Sequence, residues 1–363
     1  MRPLGQLRPL APLIQGGDLA YRLLRNRAGA LWLLPESSKR VRGARLVFAP
    51  RNLLLRCVWA AWDFGLPVGS RLTLNSQALQ QILYHIDPGL EATGVVVYVG
   101  TPGAYRKGVL GVWSDGTLHA VIRLALVPAA NEWVAREASV LSFLKDKGAD
   151  SVPKLLHTGL YDDHAFLVME PVIGSLGPSR LTRAHFAYSA WLFGLERLRQ
   201  VWGESSLLRE WLVHLSREDL VRAFPILEQS LAWLGNRLSD RPLSFGWAHR
   251  DFAPWNTRWV RGKLFLLDWE MAQPYRPPGY DLLHFVSIQA ALRKKSVSVP
   301  WRALRAWLEV HAPEWVGLEK ELYVLYLLDQ ALFYAQAREE VPDAGEDHVL
   351  NWLLNELRSA VIW

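Results

Sequence analysis

Near residue 175 the period of the apolar residues changes, and that change limits the chain to a β-rich part followed by a helical part. Upstream, residues 95–99 (VVVYV) are a β-branched run. Residues 108–113 and 118–126 flank Ser114-Asp115-Gly116, and two apolar runs joined through Asp-Gly predict a hairpin. Residues 131–147 have helical spacing, with Trp133, Val134, Ala138, Leu141 and Leu144 on one side. Residues 154–157 and 165–169 predict two more strands. Downstream, helical periodicity runs over 183–202, 207–215, 220–238, 301–311, 318–338 and 348–361. The exception is 247–268, which is punctuated by loops and holds a short strand at 263–267. The expected fold class is α+β, with three zones: 1–90, 91–174 and 175–363. The first mixes Arg-rich and apolar pieces, includes a helical patch at 77–85, and ends at Asp87-Pro88-Gly89, a chain break in pattern terms.

Composition removes several classes of function. Cys57 is the only cysteine in 363 residues, so an intramolecular disulfide and a cysteine-based zinc or CxxC site are excluded. The fit is to a reducing compartment, and a cytoplasmic location is expected. The net charge is a mild +6, and the densest basic stretch, 39–45 (KRVRGAR), is short. No nucleic-acid recognition motif accompanies it, so no nucleic-acid partner is expected. The first twenty residues carry Arg8, Pro9 and Pro12 and no clean apolar core, which predicts no secretory signal. A membrane span needs roughly 18 apolar residues. Arg56 and Asp63 interrupt 53–68, and Asp329 and Gln330 interrupt 322–335, which reads as a buried helix.

The chemistry is concentrated in residues 247–285 (WAHRDFAPWNTRWVRGKLFLLDWEMAQPYRPPGYDLLHF). His249-Arg250-Asp251 is followed five residues after the Asp by Asn256. Asp268 follows twelve residues later, at the end of an apolar strand. One carboxylate that orients or deprotonates a hydroxyl, with an amide and a second carboxylate that hold Mg²⁺ on ATP phosphates, is the set a kinase uses. Mg²⁺ takes hard oxygen ligands and keeps several waters, so two side-chain oxygens and the phosphates suffice.

This segment resembles the catalytic centre of the aminoglycoside phosphotransferase and choline kinase superfamily, which has the two-lobed protein-kinase-like fold. His249-x-Asp251-(x)4-Asn256 is similar to that family's catalytic loop, and Pro254-Trp255-Asn256 is a frequent ending of it in bacterial members. Asp268-Trp269-Glu270 stands where protein kinases have Asp-Phe-Gly, and Asp281-Leu282 matches a later family motif. The resemblance covers roughly residues 95 to 350. It implies a small nucleotide-binding lobe and hinge at 91–174, and a helical lobe with catalytic loop and acceptor site at 175–363. Residues 1–90 remain an N-terminal extension of unknown role.

Residue by residue, the resemblance implies Asp251 as the base and Asn256 and Asp268 as Mg²⁺ ligands. The loop at 98–108 would position the nucleotide, with Gly100 and Gly103 letting backbone N–H groups approach phosphate. The third strand of the small lobe offers Arg123 where the family has Lys, and Glu137 stands where its partner Glu belongs. Arg is always charged and bidentate, but longer and planar, so it is not equivalent to Lys. The pair either serves the α- and β-phosphates or is a structural ion pair, with Lys107 able to take the phosphate role. Residues 166–174 resemble the hinge, with Met169 as gatekeeper and adenine bonded to the Glu170 carbonyl and Val172 amide. His249 is expected to hold the loop in shape. Asp281 is expected to bond the loop backbone or cap the next helix, and Glu270 is either a second metal ligand or a cap.

The expected activity is transfer of the γ-phosphoryl group of ATP to a hydroxyl of a sugar or sugar-like acceptor, with or without amino groups. Trp191, Trp211, Trp269 and Tyr280 are candidate acceptor-side aromatics, against a plain core role. The alternatives are a choline- or ethanolamine-type kinase and a nucleotide-binding pseudokinase without turnover, the latter motivated by Arg123.

Overall fold

The computed structural model describes residues 8–48, 53–103, 105–340 and 347–362. It divides into two compact units, Met1–Ser175 and Leu176–Trp363. Position 104 of the expected nucleotide loop lies outside the described residues.

The first unit is built on one sheet of eight strands. They are β1 (Leu19–Arg25), β2 (Leu31–Pro35), β3 (Ser70–Leu74), β4 (Gly94–Val99), β5 (Lys107–Ser114), β6 (Thr117–Ala125), β7 (Leu155–Tyr161) and β8 (His164–Met169). Their order is β3-β1-β2-β4-β5-β6-β8-β7, and the pairs are antiparallel. The β5–β6 turn is the hairpin expected from Asp-Gly. Asp115 (φ 49°) and Gly116 (φ 75°) both take the left-handed backbone that a two-residue turn between twisted strands requires. Among the described residues four α-helices accompany the sheet: α1 (Ala44–Phe48), α2 (Leu53–Asp63), α3 (Ser76–Ile86) and α4 (Ala130–Asp146).

Side-chain alternation along the strands splits the unit's core in two. Leu31, Leu33, Val95, Val97 and Val99 pack with Leu79 and Ile82 of α3. Trp32, Leu34 and Val96 pack with Trp59 and Trp62 of α2. Both faces of β4 are therefore buried, which is why its sequence is an unbroken apolar run rather than an alternating one. The described part of the first ninety residues, expected as an N-terminal extension of unknown role, supplies β1, β2, β3 and helical packing to this same sheet. Their strands escaped the sequence reading because helix and strand pieces alternate within short Arg-rich stretches.

The second unit is mainly helical, as expected. After a two-residue strand β9 (Ser175–Leu176) come α5 (Arg183–Gly194), β10 (Leu198–Val201), α6 (Ser206–Leu215), α7 (Glu218–Ala223), α8 (Pro225–Leu238), β11 (Pro242–Ala248), β12 (Thr257–Val260), β13 (Lys263–Leu266), β14 (Gln273–Arg276), α9 (Tyr280–Leu292), α10 (Trp301–His311), α11 (Glu319–Glu340) and α12 (Asp347–Ile362). Two helices differ from the sequence reading. The expected helix over 183–202 stops at Gly194, because 198–201 pair instead with β11, Leu198 opposite Phe245. The helix expected over 220–238 is broken at Pro225, which lacks an N–H and sits at the first turn of α8. The core gathers around α11, whose Leu322, Leu325, Leu328 and Leu332 are all buried with Trp211, Trp315 and Leu353. The isolated polar pair Asp329 and Gln330 is buried there too, each 2% exposed.

Candidate active site

β11 delivers the chain to the site. A Cβ at Gly246 would lie 2.3 Å from the Phe193 carbonyl oxygen, so only glycine lets the strand pass this close to α5. Two residues past the end of β11, Arg250 takes a left-handed backbone (φ 66°). The carboxylate of Asp281, in the first turn of α9, accepts from the backbone N–H groups of His249 (2.9 Å) and Arg250 (3.0 Å). The loop bend thus has both of its donors satisfied by one side chain. Burial lifts the Asp281 carboxyl to about 6, against the pull of the His249 and Arg250 N–H groups.

His249 is fully buried. Its Nδ1 accepts from the Asp251 N–H at 3.2 Å, which places its proton on Nε2, facing the Leu267 carbonyl at 3.1 Å. Burial holds this imidazole down to about 4, so it is neutral at pH 7. The ring spans the loop and the segment that carries Asp268.

A short hairpin brings the three candidate groups of the motif into one segment. Pro254–Asn256 forms one 3₁₀ turn, and β12 and β13 pair from Thr257 opposite Leu266 to Val260 opposite Lys263. Beyond that ladder the Leu267 N–H donates to the Asn256 carbonyl at 2.8 Å. Twelve residues of sequence separation between Asn256 and Asp268 thereby close into adjacent positions. Asp268 has a left-handed backbone (φ 71°), uncommon for a residue with a Cβ and found where local geometry is functionally constrained. The Asn256 Nδ2 donates to Asp251 twice, to its backbone oxygen at 3.0 Å and to Oδ2 at 2.6 Å.

The donor set suits a hard divalent cation. With its amide nitrogen committed to Asp251, Asn256 offers Oδ1 as a ligand atom. Carboxylate oxygens of Asp268 and Glu270 lie within 4.8 Å of each other. Oxygen-only donors of this kind match Mg²⁺.

A model of the phosphotransferase enzyme family (APH) matches residues 111–309, more than half of the chain. The chain belongs to that family. It is a phosphotransferase acting on a hydroxyl acceptor, and the superfamily resemblance read from 247–285 holds. Among solved structures, the phosphotransferase is similar to aminoglycoside phosphotransferase APH(4)-Ia, with 14% identity, 78% of this chain and 98% of that chain covered, and a TM-score of 0.52. A thermostable mutant of that protein, in ternary complex with AMP-PNP and hygromycin B, gives 13% identity, 79% and 98% coverage, and a TM-score of 0.53. Another, in ternary complex with ADP and hygromycin B, gives 14%, 78%, 98% and 0.51. At these identities the likeness is one of fold, and the α+β kinase-like class is the one expected. A comparison with curated proteins finds no match.

In the first unit of the phosphotransferase, Arg123 on β6 and Glu137 on α4 form an ion pair, Nη1 to Oε2 at 2.6 Å, with the Glu137 side chain fully buried. Gly100 and Gly103 lie in the turn between β4 and β5. The Gly100 N–H donates to the Lys107 carbonyl at 3.0 Å, and a Cβ at Gly103 would meet nothing within 4 Å. Neither has a positive φ. The Gly100 N–H is committed to Lys107 and is not available to a phosphate, which corrects that expectation, while Gly103 has open space beside its backbone. Met169 ends β8 and is buried. Glu170 donates its N–H to the Lys154 carbonyl at 2.9 Å, and its carboxylate pairs with the Lys154 Nζ at 3.2 Å. Val172 follows in the half-buried segment beyond. Trp211, Trp269 and Tyr280 are each no more than 1% exposed and therefore belong to the core. Trp191 is half-buried.

Sequence reasoning missed the support beneath the loop that carries Asp251. Arg250 Nη2 and Nε donate to Asp329 Oδ2 at 2.8 and 3.1 Å, and Nη1 donates to Gln273 at 2.7 Å. Asp329 also accepts from the Tyr280 hydroxyl (2.5 Å) and the Trp211 indole (3.0 Å), while Gln330 donates to Tyr280 (2.7 Å). Burial opposes charge on Asp329, yet Arg250 and Arg276 outweigh it and hold the carboxyl well below its usual range. Burial likewise opposes charge on Arg250, and Asp329 reverses the balance. The available signal was Asp329-Gln330 inside an apolar helix: a polar pair there demands buried partners. His284, whose Nε2 lies 3.3 Å from Asp251 Oδ1, was also missed.

Proposed function

We propose that this phosphotransferase is an ATP-dependent small-molecule kinase whose acceptor is a hydroxyl of a sugar or sugar-like compound. The observation that carries the reading is Asp251, oriented through Asn256 at 2.6 Å on a loop whose backbone Asp281 fixes. In the proposed reaction the acceptor oxygen attacks the γ-phosphorus and its proton passes to the Asp251 carboxylate. The bond between that phosphorus and the β,γ-bridging oxygen breaks, and ADP leaves. Asn256 and Asp268 would hold Mg²⁺, which supplies charge neutralisation on the phosphate oxygens. Arg123 steadies the α- and β-phosphates, with Glu137 fixing its guanidinium. Gly103 presents backbone to phosphate, and the Glu170 carbonyl and Val172 amide take adenine. His249, neutral and bonded at both nitrogens, acts through loop shape rather than proton transfer. The transition state is loose, so positioning and charge carry most of the rate.

The sugar class is supported by the hygromycin B complexes of the aminoglycoside phosphotransferase that shares the fold. Asp251→Asn is expected to abolish ATP-dependent phosphorylation in a screen of sugars and amino alcohols while leaving nucleotide binding by calorimetry intact. Full turnover in that variant would sink the reading. Phosphorylation of choline or ethanolamine in preference to sugars would move the acceptor class.

A further inference from the structure

Asp251 is held at both carboxylate oxygens, and only one of the two holders belongs to the sequence motif. Asn256 Nδ2 meets Oδ2 at 2.6 Å, and His284 Nε2 faces Oδ1 at 3.3 Å. His284 lies on α9 three residues after Asp281, so the two side chains share one helix face. Asp281 fixes the backbone of the loop from that face, and His284 reaches the carboxylate itself. The His284 side chain is 2% exposed, and its Nδ1 lies 3.4 Å from the Tyr326 hydroxyl of α11. The imidazole is therefore engaged at both nitrogens. Burial raises the Tyr326 phenol far above its usual range, so it keeps its proton. A phenol O–H donating to Nδ1 leaves the imidazole proton on Nε2, where it points at Asp251.

We infer that His284 is a positioning residue for Asp251, pinning Oδ1 while Asn256 pins Oδ2, so that the carboxylate plane is fixed toward the acceptor hydroxyl. Resting on the reading of Asp251 given above, it adds a residue that the catalytic motif does not contain. With Asn256 alone, the carboxylate is held through one oxygen and turns about its Cβ–Cγ bond. Held through both, it presents the remaining lone pairs in one direction, which is the condition for a near-attack geometry. Tyr326 serves the same end by fixing the tautomer.

The test uses the full chain with Mg²⁺-ATP and water as acceptor, measuring kcat and KM for hydrolysis together with thermal unfolding. His284→Leu should lower kcat about tenfold or more with KM for ATP unchanged. His284→Gln, which carries an N–H near the position of Nε2, should recover most of that loss. A folded His284→Leu with wild-type kcat, where Asp251→Asn has none, would overturn the inference and leave the reading of Asp251 standing. Equal losses in His284→Leu and His284→Gln would also overturn it, by assigning the effect to packing. Turnover retained in Asp251→Asn would remove both. Should His284→Leu fail to fold, Tyr326→Phe is the second variant, with a smaller fall in kcat expected and an unchanged kcat counting against the inference. If wild-type hydrolysis is too slow to measure, ¹⁵N NMR of the His284 ring gives the same decision. Nε2 should carry the proton and its resonance should move in Asp251→Asn, and a resonance that stays put overturns the inference.

Discussion

His249 and His185 are each held down to about 4 by burial, while burial lifts Asp281 to about 6. The signs differ. A buried neutral histidine binds fewer protons than its unfolded counterpart between about 4 and its usual 6.5, so its contribution to stability grows as pH rises through that window. Asp281 binds more protons folded than unfolded between 3.8 and about 6, so its contribution falls as pH rises there. Two histidines oppose one carboxyl, and their sum should make the protein gain stability from pH 4 to pH 6.5. Asp281→Asn removes the opposing part, and urea unfolding across that range should show a steeper rise than in the wild type. The variant should also lose about 1–3 kcal/mol at every pH, because an amide has one acceptor oxygen for two buried backbone N–H groups. A slope unchanged from wild type would contradict the assignment. Asp251, Asn256 and Asp268 were nominated at this scale by their spacing and by the family resemblance of the motif that holds them. Arg250, His284 and Asp329 were not, because their partners lie 31 to 80 residues away in the chain.

Elements make the site by where they stop. β11 passes close against α5 and releases the chain at Ala248, and the β12–β13 ladder then returns it so that Asp268 follows the Leu267–Asn256 bond. Gly246→Ala would put a methyl 2.3 Å from the Phe193 carbonyl oxygen, and either α5 or β11 must shift. An overpacking cost of about 1–3 kcal/mol is expected in urea unfolding. Because Gly246 lies three residues before His249, activity should fall as well. A variant with wild-type stability would show that the close approach is relieved cheaply. Helix and strand existence was readable from period, as in 301–311, which is helical over the expected residues. The strand at Leu198–Val201 was not, since its state is decided by pairing with β11, forty-odd residues on.

For the whole molecule, two measurements weigh the reading. Mg²⁺-ATP at about 100 times Kd should add about 2.7 kcal/mol of stability, seen as a rise of a few degrees in Tm. The rise should be lost or reduced in Asp268→Ala. No rise with ATP or with GTP would favour a degenerate kinase in which Arg123 no longer serves a nucleotide. The second concerns residues 1–90. Leu31 pairs with Val99 and Leu33 with Val97, and residues 31–35 are all buried. Removing residues 1–90 would bare the edge of β4 and both of its packed faces, so residues 91–363 alone should be insoluble or fail to give a cooperative unfolding transition. A soluble, cooperatively folding truncation would show the segment to be an accessory. The sequence by itself determined the α+β class from its local pattern and the family from the motif in 247–285, and that motif nominates the residues proposed for the chemistry. Only the tertiary structure decided that the first ninety residues complete the sheet, that Arg250 rests on Asp329, and that His284 faces Asp251. Those contacts join residues remote along the chain, and their energy comes from burial and shared hydrogen bonds that no local period encodes.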